Sequence, residues 1–489
     1  MTVSDTTSSE LDAVLAAAAA AAEPLAAMRP AERAALLRAA ADALDAAVDE
    51  LVPLAMAESK LPQPRLTGEV ARSSGQMRMF AAALEEGSIL EVIIDSADKD
   101  AKPVPRPDLR RMLVPVGPVL VFAASNFPFA FSVPGGDTAS ALAAGAPVVV
   151  KAHPGHPETS RRTGEVLIEA LRAAGAPDGT LAVVHGMEVG TAALTDPRIT
   201  AASFTGSERG GRALLDIASS REVPIPFYGE LGSLNPVFVT PAALAARGEA
   251  IADGYVGSFT LGTGQFCTKP GLLFLPEGHG LEERLVGAVG GTVPTAMLND
   301  RIQEGHEHER ARLTGLGAVR TLVDGGDRDA GVAATLLATS AKELLADPDA
   351  LLRECFGPTS IVVEYTGQDE LLAAAAAFSG NLTATVHAED SDAASLAPLV
   401  SRLRERAGRV VYNGWPTGVA VSWAQHHGGP YPATTASVHT SVGVTAVRRF
   451  QRPICYQDTP QALLPEALLD GNPLGLPRRV DGTVTTEAL

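Results

Sequence analysis

The stretch Gly262-Thr263-Gly264-Gln265-Phe266-Cys267-Thr268 places one of the chain's three cysteines just after two glycines, between an apolar helical run and an apolar strand. A thiol there suits a nucleophile, because glycine lets other backbone approach closely and relaxes the steric limits beside a reactive side chain. Taken alone the stretch reads more readily as a buried structural cysteine, since free cysteine is among the most buried residue types and says little about its own reactivity.

Several other positions offer chemistry. Glu230 brings a carboxylate to the glycine-flanked turn Tyr228-Gly229-Glu230-Leu231-Gly232-Ser233, although a loop glutamate is commonly just solvated. Asn126, Lys151 and Thr205-Gly206-Ser207 each follow a short apolar run. The Gly206-Ser207 turn opens a helical segment, where unpaired N–H groups and the positive dipole end suit a phosphate. A full Gly-x-Gly-x-x-Gly is absent at that position, so the turn is a weak motif. Arg65, Arg72 and Arg78 lie in one helical region, where arginines more often pair with nearby acids than bind a substrate.

The elements that must position these groups read as an α/β fold. Residues from about 10 to 95 are helical in pattern, and Pro30 sits near the start of an amphipathic run over Glu32–Leu44. Strands are expected at Arg110–Val116, Val119–Phe122, Pro147–Lys151, Leu181–Val184 and Ala201–Phe204, with helices at Thr138–Ala144 and about 158–174. Continuous apolar strands alternating with helices predict a parallel sheet covered on both faces, with ligands at the carboxyl ends of the strands. A second alternating region runs from about 240. It carries a helix over Ile251–Thr260 into Cys267 and strands at Pro270–Leu275, Ile361–Tyr365 and Arg409–Gly414. The pattern divides the chain into one alternating unit over 1–95 and 119–240, a second over 241–429, excursions over 96–118 and 430–455, and a tail over 456–489.

Composition narrows the classes of partner. The 489 residues are 46% apolar and 20% charged, ordinary for a soluble globular protein. The 39 basic and 57 acidic residues leave a net charge of −18 with no basic block, which argues against nucleic acid. Cys267, Cys355 and Cys455 are far apart, fit a reducing compartment and supply no disulfide framework. The clusters His426-His427 and His306-Glu307-His308 have no matching second half, so no metal site is expected. The run Ala16–Ala22 follows Asp5, Glu10 and Asp12, the wrong charge for a secretory leader, and no apolar stretch reaches the ~20 residues of a membrane span. A cytoplasmic location is expected.

In order along the chain, Ser125-Asn126-Phe127-Pro128, Lys151, Phe204-Thr205-Gly206-Ser207, Glu230-Leu231-Gly232, Gly264-Gln265-Phe266-Cys267, Glu354-Cys355-Phe356-Gly357-Pro358 and Asn413-Gly414-Trp415-Pro416-Thr417-Gly418 resemble the aldehyde dehydrogenase superfamily. The resemblance covers nearly the whole chain. It implies that Cys267 is the nucleophile, that the Asn126 amide and the Cys267 N–H hold the oxyanion, and that Glu230 is the general base. It also implies a Rossmann-type cofactor domain in which Lys151 holds the adenosine ribose, Gly206 and Ser207 a phosphate, Glu354 the nicotinamide ribose, and Phe356 packs near the ring. NAD-preferring relatives often carry a glutamate three residues after the lysine; Pro154 stands here, so NADP is preferred and NAD stays open. It further implies a dinucleotide-binding domain over 1–95 and 119–240, a catalytic domain over 241–429 and an oligomerisation arm over 96–118 and 430–455, with a homodimer or homotetramer as the usual assembly.

Arg65-Leu66-Thr67-Gly68-Glu69, Gly135-Gly136-Asp137-Thr138 and Gly428-Gly429-Pro430-Tyr431-Pro432 are similar to the branch that contains the 2,5-dioxovalerate (α-ketoglutaric semialdehyde) and NADP-dependent fatty aldehyde dehydrogenases. A semialdehyde carrying a carboxylate needs cationic partners, for which Arg78 and Arg65 are candidates. Lys269 replaces an expected asparagine and is a candidate to lower the Cys267 pKa or to bind that carboxylate. Ala420, Ser422 and Trp423 also depart from the branch pattern, which leaves the substrate mouth open. The rival readings are a Cys-Glu-Lys hydrolase built from Cys267, Glu230 and Lys151, a catalytically silent relative, and a CoA-acylating enzyme.

Overall fold

Five strands, in the spatial order Leu181–Val184, Val148–Lys151, Val119–Phe122, Ala201–Thr205 and Phe227–Glu230, form one all-parallel sheet in the computed structural model, which describes residues 3–489. Alternate side chains feed two different cores, as the period of two in a strand requires. Val119, Val121, Val148 and Val150 pack under the helices Pro30–Ala46 and Gln63–Glu86, through Leu37, Leu66 and Met77. Leu120, Phe122 and Val149 face the other way, against Leu11, Leu15 and Leu194.

The alanine-rich N-terminal segment is the helix Ser8–Ala27, closed by a Thr7–Glu10 capping box and burying Leu11, Leu15, Ala18, Ala21 and Leu25 along one stripe. Among the described residues no helix is long and apolar enough to cross a membrane.

The chain builds the first sheet outward from Val119–Phe122 to Leu181–Val184, then returns to add Ala201–Thr205 on the opposite side. That reversal opens a crevice at the carboxyl ends of the strands. Asn126, Lys151, Gly206, Ser207 and Glu230 all lie at or just beyond those ends.

A second sheet has seven strands in the order Arg320–Val323, Thr335–Ser340, Thr359–Tyr365, Leu272–Pro276, Val237–Val239, Asn381–His387 and Ala407–Tyr412, parallel except at the Arg320–Val323 edge. The helix Pro241–Thr260 runs beside it, and Cys267 sits in the link from that helix to Leu272–Pro276.

Ile93–Asp95 and Leu109–Pro115 join Gln451–Gln457, Arg478–Val480 and Thr483–Thr485 in a third sheet, also of five strands. The parallel pairing of Ile93–Asp95 with Arg478–Val480 makes the C-terminal segment part of this sheet. The stretch around 427–441 turns back instead to the first sheet. Leu231 N–H donates to Ala433 O and Thr435 N–H to Gly229 O, beside a Glu230–Thr434 bridge.

Candidate active site

Cys267 is delivered by a run of left-handed backbone, a conformation that favours glycine. After the Pro241–Thr260 helix, Gly262, Thr263 and Gly264 all take positive φ. At Gly264, φ is +65° and a Cβ would lie 2.3 Å from Gly357 O, so the nucleophile segment rests directly on the Glu354–Gly357 turn. Asn235 fixes the next residues: its Nδ2 donates to Cys267 O at 2.8 Å and to Lys269 O at 2.9 Å.

Around the thiol the structure assembles Glu230, His427 and Ser441. His427 Nε2 lies 2.9 Å from Glu230 Oε1 and 3.5 Å from Cys267 Sγ, and Ser441 Oγ donates to Glu230 Oε2 at 2.5 Å. His427 Nδ1 is buried without a partner. One nitrogen cannot both donate to the carboxylate and accept from the thiol, so the bond to Glu230 assigns the proton to Nε2. Glu230 is then the acceptor left for the Cys267 proton.

Burial works against the Glu230 charge, but His427 and the hydrogen bonds from His427, Ser441 and Cys267 outweigh it and hold the carboxyl below its usual range. Burial, followed by the Glu230 charge, pushes the Cys267 thiol well above its ordinary value. The resting pair is therefore a thiol beside a carboxylate, an acid waiting next to its base. The donor atoms of Cys267, His427 and Glu230 lie within 4.8 Å of one another, a composition that also suits a metal. Their mutual hydrogen bonds, with Ser441 on the second carboxylate oxygen, account for the arrangement.

Asn126 closes the other side. Its Nδ2 donates one hydrogen to Gln265 O at 3.0 Å, which leaves its second hydrogen uncommitted among the described residues. Arg65 supports it from behind, donating from Nη2 to Asn126 O at 2.6 Å while Nε pairs with Glu69 at 3.2 Å. The guanidinium also packs over the Phe127 and Phe266 rings. Arg65 thus positions Asn126.

The remaining cationic candidates sit elsewhere. Arg78 pairs with Asp42 and Asp45 on the outer surface. Lys269, expected at the substrate mouth or in solvent, is buried and donates from Nζ to Cys355 O and Thr359 O at 2.7 and 2.8 Å. Its neighbour in charge is Glu354, whose carboxyl burial raises to about 7 and Lys269 pulls back.

The crevice residues fit a dinucleotide. Lys151 is buried, and among the described residues its ammonium has only the Met187 sulfur, at 3.3 Å, for a partner. Ser207 caps the helix Glu208–Ser219 by accepting from Gly210 N–H, with Gly206 just before it. A Cβ on Gly232 would meet Glu354 Oε2 at 2.6 Å, so glycine is what lets that carboxylate reach the crevice. Phe356 is half-buried in the same turn.

Residues 1–431 match the aldehyde dehydrogenase family. The chain belongs to that family. It is 46% identical over 468 residues to alpha-ketoglutaric semialdehyde dehydrogenase 2 of Azospirillum brasilense, covering 94% of this chain and 88% of the relative. It is 43% identical over 441 residues to the alpha-ketoglutaric semialdehyde dehydrogenase of Acinetobacter baylyi, covering 89% and 84%. Among solved structures, an NAD-dependent aldehyde dehydrogenase from Sinorhizobium meliloti superposes with a TM-score of 0.77 at 25% identity, over 93% of this chain and 87% of that one. This aldehyde dehydrogenase is therefore an oxidoreductase of the NAD(P)-using kind, acting on aldehydes.

His427, Ser441 and Asn235 carry parts of this site that no sequence reading assigned. His427 was visible only as half of a histidine pair, and Asn235 gave no signal of its own. Ser441 gave no signal, because its role depends on the return of the 427–441 stretch to Glu230.

Proposed function

We propose that this aldehyde dehydrogenase oxidises 2,5-dioxovalerate to 2-oxoglutarate, with Cys267, Glu230 and Asn126 as its catalytic groups. The observation that carries the reading is the buried Cys267–Glu230–His427 network, in a chain 46% identical to a semialdehyde dehydrogenase.

The reaction follows from the protonation states. Glu230 takes the Sγ proton, and Cys267 Sγ adds to the aldehyde carbon to give a thiohemiacetal. The oxyanion faces the free N–H of Asn126 Nδ2 and the Cys267 backbone N–H. A nicotinamide dinucleotide held in the crevice would supply the two-electron oxidant, taking hydride from the thiohemiacetal carbon. Cys267 then carries the acyl group as a thioester. Glu230, its proton passed to solvent, deprotonates a water that attacks the thioester, releasing the acid and the thiol.

Lys151 with Ser207 and Gly206 hold the adenosine end of the dinucleotide in this reading, and Glu354 and Phe356 the nicotinamide end. NADP is the favoured oxidant. Pro154 supplies no carboxylate near Lys151, and the positive charge of Arg301 falls close enough to act on Lys151. Asp5 opposes them, since its charge also acts on Lys151. Homo-oligomers suit the two open sheet edges, Gln451–Gln457 and Ala407–Tyr412, the latter exposing Val410 and Tyr412.

The Phe131 and Phe266 rings, each in edge contact with Phe127, favour medium- or long-chain fatty aldehydes as a second reading. The hydrolase alternative has less support, since Lys151 points to Met187 while Glu230 is held by His427 and Ser441.

The test is kcat/KM on 2,5-dioxovalerate, succinic semialdehyde and a long-chain aldehyde, each with NAD and NADP, read as absorbance of the reduced cofactor. Highest efficiency on 2,5-dioxovalerate supports the reading. Preference for the long-chain aldehyde overturns the substrate, CoA-dependent product overturns water as acceptor, and amide turnover without cofactor reduction overturns the whole assignment.

A further inference from the structure

We propose that Arg72 and Arg409 form the subsite for the far carboxylate of the substrate, backed by the 416–419 loop. This rests on the reading that the substrate is a semialdehyde carrying a carboxylate.

The two arginines come from different domains of the sequence and meet at one short loop. Arg72 lies on the helix Gln63–Glu86 and donates from Nη1 to Val419 O at 2.8 Å. Arg409 lies on the strand Ala407–Tyr412 and donates to Gly418 O at 3.2 Å and Pro416 O at 2.6 Å. Both are only partly exposed, and neither has a carboxylate partner among the described residues. Arg65, Arg78, Arg161, Arg162 and Arg198 are by contrast all paired with carboxylates, and Arg33, Arg406 and Arg478, whose Nε atoms are also unpartnered, do not share this loop.

Their donors are under-used. The Nε of each is buried with no acceptor, and Arg72 Nη2 makes no hydrogen bond among the described residues. Planar guanidinium groups in this state suit a carboxylate, which accepts several N–H bonds at once. Both also stand on the nucleophile's side of the molecule. The Cys267 charge acts on each guanidinium, and Glu230 acts on Arg72 as well. The Phe131 ring lies 5.9 Å from the Arg72 guanidinium carbon and restrains it.

A five-carbon semialdehyde whose carbonyl lies at Cys267 would then place its anionic end against two unpaired cations. Arg65 and Arg78, the arginines that sequence suggested, are engaged with Asn126 and Glu69 and with Asp42 and Asp45.

The experiment compares 2,5-dioxovalerate with pentanal, an aldehyde of equal length without the carboxylate, on the full-length enzyme and on Arg72→Met, Arg409→Met and Arg72→Lys. We expect each methionine variant to lose about 10²-fold in kcat/KM for 2,5-dioxovalerate, mostly through KM, with pentanal changed less than about threefold. Arg72→Lys is expected to recover part of the loss, and pentanal turnover reports on folding. Equal losses on both aldehydes would show that the arginines only support the loop and would overturn the proposal. So would a semialdehyde preference that survives in both methionine variants, while leaving the substrate reading intact. Absence of any preference in the unaltered enzyme would overturn the substrate reading, and this subsite with it.

Discussion

His427 donates to Glu230 across 2.9 Å in a site where the two side chains are 1% and 3% exposed. The same imidazole nitrogen lies 3.5 Å from Cys267 Sγ, so a single N–H stands between the base and the nucleophile. The role this gives His427 is to hold and stabilise the Glu230 carboxylate, which takes the proton.

Removing that donor strips a buried carboxylate of its partner. His427→Ala is expected to lower kcat by about 10–10²-fold and to slow alkylation of Cys267 by iodoacetamide, since a buried Glu230 without that donor is less often ionised and is no longer held toward the thiol. His427→Gln keeps an N–H donor and should recover much of both. If imidazole were itself the base, glutamine would fail as alanine does, and the alkylation rates of the two variants would coincide.

Asn126→Ala leaves the Cys267 N–H as the sole oxyanion donor of the pair. A fall of about 10²–10³ in kcat/KM is expected, with cofactor KM little changed. Arg65→Met should show a milder version of the same phenotype, because it loosens Asn126 through its carbonyl without removing the amide. Near-normal turnover of Asn126→Ala would remove that residue from the mechanism.

Much of this site was legible before the fold was in view, and its limits are physical. The first parallel sheet follows from apolar runs such as Val148–Lys151, buried at every position. Strand-end placement of Asn126, Lys151 and Ser207 follows from that sheet. Lys269, two residues from Cys267 in sequence, looked available to the thiol or to a substrate carboxylate. Here Cys355 O and Thr359 O, some ninety positions on, supply buried acceptors that local sequence does not reveal. Arg65 and Arg78 share one helix and look alike in sequence. Their fates separate only when Asn126 and Asp42 arrive from other elements.

Gly264→Ala should fail for steric reasons rather than chemical ones. A Cβ there would press on the Gly357 carbonyl at 2.3 Å with φ at +65°, and backbone cannot step aside as a flexible side chain can. We expect a loss on the order of 1–3 kcal/mol, seen as a Tm lower by several degrees, and a larger loss of activity as Cys267 shifts. An unchanged Tm with full turnover would show that the two turns are not in tight contact.

Asp5 and Pro154 test the cofactor reading from opposite directions. Asp5→Asn removes a negative charge that acts on Lys151, and should raise the ratio of kcat/KM for NADP over NAD several-fold. Pro154→Glu adds a carboxylate near the same ammonium and should lower that ratio. The two ratios, measured at one fixed ionic strength, must move apart; movement in the same direction would exclude charge at Lys151 as the determinant.

Glu354 gives the cofactor site a pH dependence with a definite sign. Burial raises its carboxyl to about 7, against an ordinary value of 4.5, while Lys269 pulls in the other direction. Between those two values the folded chain holds a proton that the unfolded chain has released. The group's contribution to stability therefore falls as pH rises across that window. Cofactor binding runs the other way, because only the ionised carboxylate accepts hydrogen bonds from two ribose hydroxyls at once. Cofactor KM is accordingly expected to fall several-fold as pH rises through about 7, and Glu354→Gln to show a weak, flat profile over the same range. A profile in Glu354→Gln that keeps the step would assign it to another group, with the Cys267 thiol, itself raised by burial and by Glu230, as the first to examine by pH-dependent alkylation.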